Sequence, residues 1–140
     1  MSETIHASTV AIGGHAVLIE GPSGSGKSDL ALRLIDRGGV LVSDDYTVLT
    51  PGDGVLSASA PATIAGRLEV RGIGIISVTH VERAPVTLLV RLSTEVERMP
   101  EAESRSIEGI AIPMIAIDPR AASAPIKVEL ALSRLLERAP

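Results

Sequence analysis

Residues 21 to 28 read Gly21, Pro22, Ser23, Gly24, Ser25, Gly26, Lys27 and Ser28, which fits the pattern GxxxxGK[ST]. That spacing suits the wrapping of nucleotide phosphates. Small residues let several backbone N–H groups point at one phosphate, and a helix that follows adds the positive end of its dipole. In such an arrangement Lys27 reaches the β and γ phosphates and Ser28 ligates Mg²⁺. Lys27 and Lys127 are the only lysines in the chain, so a lysine at this slot is not background composition. Sixteen residues after Ser28 stands the acidic pair Asp44 and Asp45. Phosphoryl transfer to a hydroxyl needs charge neutralisation, a metal and a group that takes the acceptor's proton. Two adjacent carboxylates at a strand end point in different directions, so one can serve the Mg²⁺ shell while its neighbour faces the acceptor. Asp44 and Asp45 would also fit a plain turn cap; the phosphate-loop pattern nearby is what favours chemistry.

The elements around these residues are in the order the chemistry requires. Residues 16–20 form a short apolar run that reads as a strand, and residues 28–37 carry Leu30, Leu34 and Ile35 at helical spacing before Gly38 and Gly39 stop them. Residues 4–12 are rich in Thr, Val and Ile, and Gly13-Gly14 joins them to the run at 16–20 as a hairpin. Residues 40–42 form a buried strand ending at the acidic pair. A right-handed strand-helix-strand crossover predicts that the two strand ends lie side by side, with the acids near the loop. Further strands are expected around a turn at 51–54, over 68–81 and over 86–92. Residues 95–109, polar and rich in Glu and Ser, read as a mobile loop or marginal helix. Residues 110–117 read as a strand interrupted by Pro113, and 128–138 as a closing helix. The balance is strand-rich α/β rather than a doubly wound alternation.

Composition narrows the function. At 140 residues the length predicts one domain, 1–140. The formal charge of −4 and the absence of a basic run argue against a nucleic-acid partner. No cysteine is present, and His6, His15 and His80 lack close metal-ligand spacing, so any metal is expected on oxygen ligands. No targeting segment or membrane-length apolar run is visible, which makes the cytoplasm the expected location and a membrane partner unexpected. The single aromatic, Tyr46, leaves no Phe or Trp on which to stack a nucleobase. The chain also contains no Asn and no Gln, so it has neither the NKxD motif nor the catalytic Gln of small GTPases.

Glu69 and Arg71 fall on one face of a strand in the run Leu68-Glu69-Val70-Arg71-Gly72-Ile73-Gly74-Ile75-Ile76, where on their own they fit a cross-strand salt bridge. His6 alone is an ordinary polar position in an alternating strand, and His15 and His80 read as surface or structural residues. Taken together, residues 21–28, the Val42-Ser43-Asp44-Asp45 strand end and the run at 68–76 resemble the catalytic domain of the HPr kinase/phosphorylase family, from His6 to about Arg98. The resemblance implies a P-loop kinase fold like that of phosphoenolpyruvate carboxykinase. It implies a cytoplasmic enzyme that uses ATP and Mg²⁺ to phosphorylate a serine of an HPr-like phosphocarrier in the phosphotransferase system, and that also removes the phosphate by phosphorolysis. It places residues 21–28 on the nucleotide, with Lys27 on the phosphates, and makes Ser28 and Glu69 Mg²⁺ ligands, with Asp44 positioning the metal. Asp45 becomes the base, and His6 and Arg98 become further active-site residues. A homo-oligomer is left open.

The family usually carries a separate N-terminal domain, whereas this chain starts a few residues before His6, which implies the catalytic part alone. The family segment tied to dephosphorylation falls at residues 118–123, where Arg120 is the only cation. Two rival functions remain at this point: a small-metabolite kinase on the same scaffold, and a nucleotide-binding regulatory module that transfers no phosphate.

Overall fold

A computed structural model describes residues 2–138. The elements are β1 (Glu3–Ile5), β2 (Ala7–Ile12), β3 (His15–Glu20), α1 (Lys27–Asp36), β4 (Val40–Ser43), β5 (Thr47–Gly52), β6 (Val55–Ser59), β7 (Arg67–Val70), β8 (Gly74–Ser77), β9 (Ala84–Leu92), β10 (Glu103–Ile107), β11 (Ile110–Ile117) and α2 (Ala124–Arg138). Nine strands form one mixed sheet in the order β1-β5-β6-β9-β3-β2-β4, with β11 on β9 and β10 on β11, while β7 and β8 form a separate hairpin. This is the expected strand-rich α/β class.

Local chemistry sets several of these elements. Gly13 and Gly14 both have positive φ (58° and 84°), the signature of the two-residue turn whose twist matches a hairpin, and they set the register Ile12 opposite His15. Helix α1 ends as its sequence predicts. Gly38 takes φ 107°, its N–H donates to Ile35 O, and the Gly39 N–H donates to Leu34 O, a Schellman closure. In β3 the residues Ala16, Val17, Leu18 and Ile19 are all fully buried, because both faces of this central strand are covered. Val17 and Ile19 pack with Leu30, Leu34, Leu88, Val90 and Val128 beneath the two helices. Ala16 and Leu18 pack on the other face with Leu49, Leu56, Leu89 and Ile112.

The structure corrects five expectations. β3 and β4 are not adjacent: β2 runs antiparallel between them, so their carboxyl ends share an edge but the amino end of β2 enters that edge as well. The run at 68–81 is not one strand but the β7–β8 hairpin, which puts Arg71 in the turn rather than beside Glu69 on a strand face. Part of the stretch expected as loop or marginal helix is strand β10, paired to β11 through a tight turn at Glu108 (φ 50°) and Gly109 (φ 80°). Pro113 does not interrupt β11, whose parallel ladder with β9 begins just past it at Met114. Helix α2 starts at Ala124, ahead of the expected 128, because Pro125 falls in the first turn, where a backbone N–H has no helical partner anyway. Among the described residues no helix is long and apolar enough to cross a membrane.

Candidate active site

Loop 21–28 joins the end of β3 to the start of α1. Its geometry depends on glycine: Gly24 and Gly26 take φ 80° and 103°, a region closed to most side chains. Lys27 is only 5% exposed, and its Nζ donates to the carbonyls of Gly21 (2.8 Å) and Pro22 (3.2 Å), so the ammonium is held within the curve of the loop. Ser25 Oγ is buried under Gly21 without a hydrogen-bond partner among the described residues.

The two carboxylates diverge as expected, although they lie just past the end of β4 rather than within it. Asp44, 7% exposed, turns inward and collects three donors. Ser28 Oγ and Ser8 Oγ donate to its Oδ1 at 2.7 and 2.8 Å, and the Glu69 backbone N–H donates to its Oδ2 at 3.0 Å. One buried carboxylate thus ties α1, β2 and β7 to the end of β4. Asp45 turns outward, its side chain about half exposed, with backbone φ 69° in the left-handed region that Asp tolerates. Its N–H donates to Ser8 Oγ (3.0 Å), and its Oδ1 sits 2.7 Å from His6 Nε2. Ser8 therefore serves both acids, donating to Asp44 and accepting from Asp45. The sequence reading missed it, although His6 and Ser8 are polar positions two apart at the start of a strand, on the same face.

These groups surround a cleft of about 550 Å³ lined by Ser23, Gly24, Gly26, Lys27, Ser28, Asp29, Leu32, Asp44, Asp45, Glu69, Val70 and Arg71. Gly21, Pro22 and Ser25 support the loop from behind, and His6 reaches the cleft through Asp45. Arg98 does not join them. It is exposed in the irregular stretch after β9, outside the cleft lining. Glu69 and Arg71 line the cleft without an ion pair between them, so the salt-bridge alternative is not what the structure shows. His15 and His80 are structural. His15 Nδ1 bonds Thr87 Oγ1 at 3.1 Å, and the His80 ring covers Gly66, where an added Cβ would come within 2.7 Å of Nδ1.

Among the described residues no three His, Asp or Glu side chains converge on a point. The cleft lining includes the expected oxygen donors, the Ser28 hydroxyl and the carboxylates of Asp44 and Glu69. That set still fits Mg²⁺, a hard ion that usually takes one or two carboxylates and completes its shell with water and substrate phosphates.

The segment at residues 118–123 lies against the loop, since a Cβ on Gly26 would sit 3.5 Å from Pro119 Cβ. Arg33 of α1 holds it there, donating to Pro119 O (2.6 Å) and Ala121 O (3.3 Å). Arg120, the one cation of the segment, is turned onto Asp118 by bonds of 3.1 and 3.0 Å. The side-chain hydrogen bond from Arg120 holds the Asp118 carboxyl down at about 2. A depressed carboxylate pKa means that Asp118 loses its charge only as pH falls from the ordinary value of 3.8 through about 2, so around neutral pH Arg120 faces an ionised partner.

The chain spans about a quarter of the curated relatives it matches. It is 49% identical over 76 residues to the HPr kinase/phosphorylase of Clostridium botulinum (strain Eklund 17B / Type B), covering 54% of this chain and 25% of that protein. It is likewise 49% identical over 75 residues to the HPr kinase/phosphorylase of Exiguobacterium sibiricum, covering 53% and 24%. The solved structure of the Hpr(Ser) kinase/phosphatase from Coxiella burnetii superposes with a TM-score of 0.83 at 32% identity, over 98% of this chain and 99% of that one. The sequence profile of the HPr Serine kinase C-terminal domain matches residues 1–137, and with that match over nearly its whole length the chain belongs to this family.

Proposed function

We propose that this domain is an ATP- and Mg²⁺-dependent protein kinase that phosphorylates a serine of an HPr-like phosphocarrier, on a P-loop scaffold of the phosphoenolpyruvate carboxykinase type. The observation that carries the reading is the placement of an outward carboxylate, Asp45, on the same cleft as the lysine-bearing loop. Asp45 Oδ1 is engaged by His6, which leaves Oδ2 to take the proton of an incoming serine hydroxyl. As that proton leaves, the serine oxygen bonds the γ phosphorus and the bond from phosphorus to the β–γ bridging oxygen breaks, giving phosphoserine and ADP. Lys27 meets the charge that develops on the phosphates. Ser28, Asp44 and Glu69 would hold Mg²⁺, which supplies further charge neutralisation when bound. Labelled ATP, Mg²⁺ and the HPr-like protein of the same organism are expected to yield label on one serine of the carrier. Label found only on small molecules, or none at all, overturns the reading.

Two predictions belong here. Lys27→Ala removes the ammonium facing the β and γ phosphates, so transfer is expected to fall roughly a hundredfold, about 3 kcal/mol of barrier. Undiminished turnover in that variant would take the loop out of the chemistry. The second concerns direction. Attack of inorganic phosphate on phosphoserine brings several negative charges together, and the adjoining segment offers only Arg120, already neutralised by Asp118. Forward transfer is expected to outrun phosphorolysis in the same preparation at millimolar phosphate. A reverse rate equal to the forward one would show that the missing cations are not needed.

A further inference from the structure

Tyr46 is the only Phe, Tyr or Trp in the chain, and its ring lies on the imidazole of His6 with centroids 5.1 Å apart and planes inclined by 26°. About half of its surface is exposed, so the ring is not there to fill a core. The pair it covers needs support. The side chains of His6 and Asp45 are 36% and 52% exposed, and a hydrogen-bonded pair in such open surroundings holds its geometry weakly by itself. An imidazole free to turn about its own axis would present either nitrogen, or neither, to Asp45.

The backbone fixes both rings relative to each other. Thr47 Oγ1 donates to Ala7 O at 2.8 Å, which staples the residues that follow Tyr46 and His6. The Tyr46 N–H donates to Asp44 O at 2.8 Å, and Ser43 Oγ donates to Tyr46 O. The tyrosine ring is therefore carried on a backbone already tied to the acidic pair.

We infer that Tyr46 is a positioning residue: its ring face holds the His6 imidazole with Nε2 toward Asp45 Oδ1, leaving Oδ2 turned to the acceptor. The role in turnover rests on the kinase reading above, while the hold on His6 does not. The test compares Tyr46→Phe, which keeps a ring face, with Tyr46→Leu, which keeps bulk without one. Proton and ¹⁵N NMR of the histidine rings reads the stack, with His6→Gln assigning the His6 signals among the three histidines. In the wild-type chain and Tyr46→Phe, the His6 ring protons are expected to show upfield ring-current displacement and its ¹⁵N shifts a single Nε2–H form. Tyr46→Leu is expected to lose the displacement, to show mixed tautomers, and to lose about tenfold in kcat for transfer from ATP to the carrier, with KM for ATP unchanged. His6 signals in Tyr46→Leu that match the wild type overturn the inference, as does a lost stack with kcat unmoved. If the wild-type chain transfers nothing to the carrier, the kinase reading falls, and the ring shifts and tautomer still decide whether Tyr46 holds His6.

Discussion

Asp45→Asn is expected to bind ATP as the wild-type chain does and to transfer phosphate about a thousandfold more slowly, the middle of the range for loss of a general base. The substitution is unusually clean at this position. Asp45 sits at φ 69°, and asparagine is among the few residues that enter the left-handed region readily, so the strand end should keep its shape. The amide oxygen can still accept from His6 Nε2, and the backbone N–H still reaches Ser8 Oγ. What disappears is an oxygen able to take a proton. Titration calorimetry with ATP, run beside a transfer assay, separates the two effects. An Asn variant that transfers at the wild-type rate would return Asp45 to a structural role. A variant that loses ATP binding as well would show that its charge acts on the nucleotide.

The parts of this architecture fixed by local chemistry were legible in the chain. The loop at 21–28, the Gly38-Gly39 stop and the Gly13-Gly14 hairpin each depend on backbone angles that glycine supplies, and those signals stay readable whatever surrounds them. That Asp44 and Asp45 diverge was expected from strand alternation, but both lie just past β4 and the left-handed backbone of Asp45 (φ 69°) is what the sequence did not show. Strand order was not legible, because nothing in residues 7–12 states that they lie between β3 and β4; pairing partners are chosen by the whole sheet. That insertion is what brings Ser8 and His6 to the acids. Strand β10 was hidden for a different reason. Its residues Glu103 to Ser106 are mostly exposed on an edge, with no apolar alternation to mark them, and its turn is Glu108-Gly109 rather than the Asn-Gly or Asp-Gly that usually announces a hairpin. Arg98 was placed in the site by resemblance alone, and no local signal ties the irregular stretch that carries it to the cleft.

Asp44 should behave differently from its neighbour, as a joint before anything else. Asp44→Ala would leave the buried Ser8 hydroxyl and the part-buried Ser28 hydroxyl and Glu69 N–H without this acceptor, and an unsatisfied buried group costs about 1–3 kcal/mol. Hydroxyls can turn toward water or toward other acceptors, which offsets part of that, so a net loss of about 3 kcal/mol of folding stability is expected, with transfer abolished. Asp44→Asn offers a contrast. With its oxygen toward the Glu69 N–H, its amide nitrogen can donate to Ser28 Oγ and Ser8 Oγ, since a hydroxyl accepts as well as donates. Polarity is reversed at two bonds, and the Ser8 and Ser28 hydroxyl hydrogens lose the acceptor they had, so stability should fall by about 1–2 kcal/mol, less than in Asp44→Ala, where the Glu69 N–H is left without a partner as well. The negative charge is gone nonetheless, and with it one of the two carboxylates proposed to hold Mg²⁺, so transfer should still drop at low Mg²⁺ and recover in part as Mg²⁺ is raised. Denaturant unfolding of both variants, beside transfer measured across a Mg²⁺ series, reads the two roles apart. An Ala variant as stable as the wild-type chain would show that the three donors find other partners, and that the convergence on Asp44 does not hold α1, β2 and β7 together.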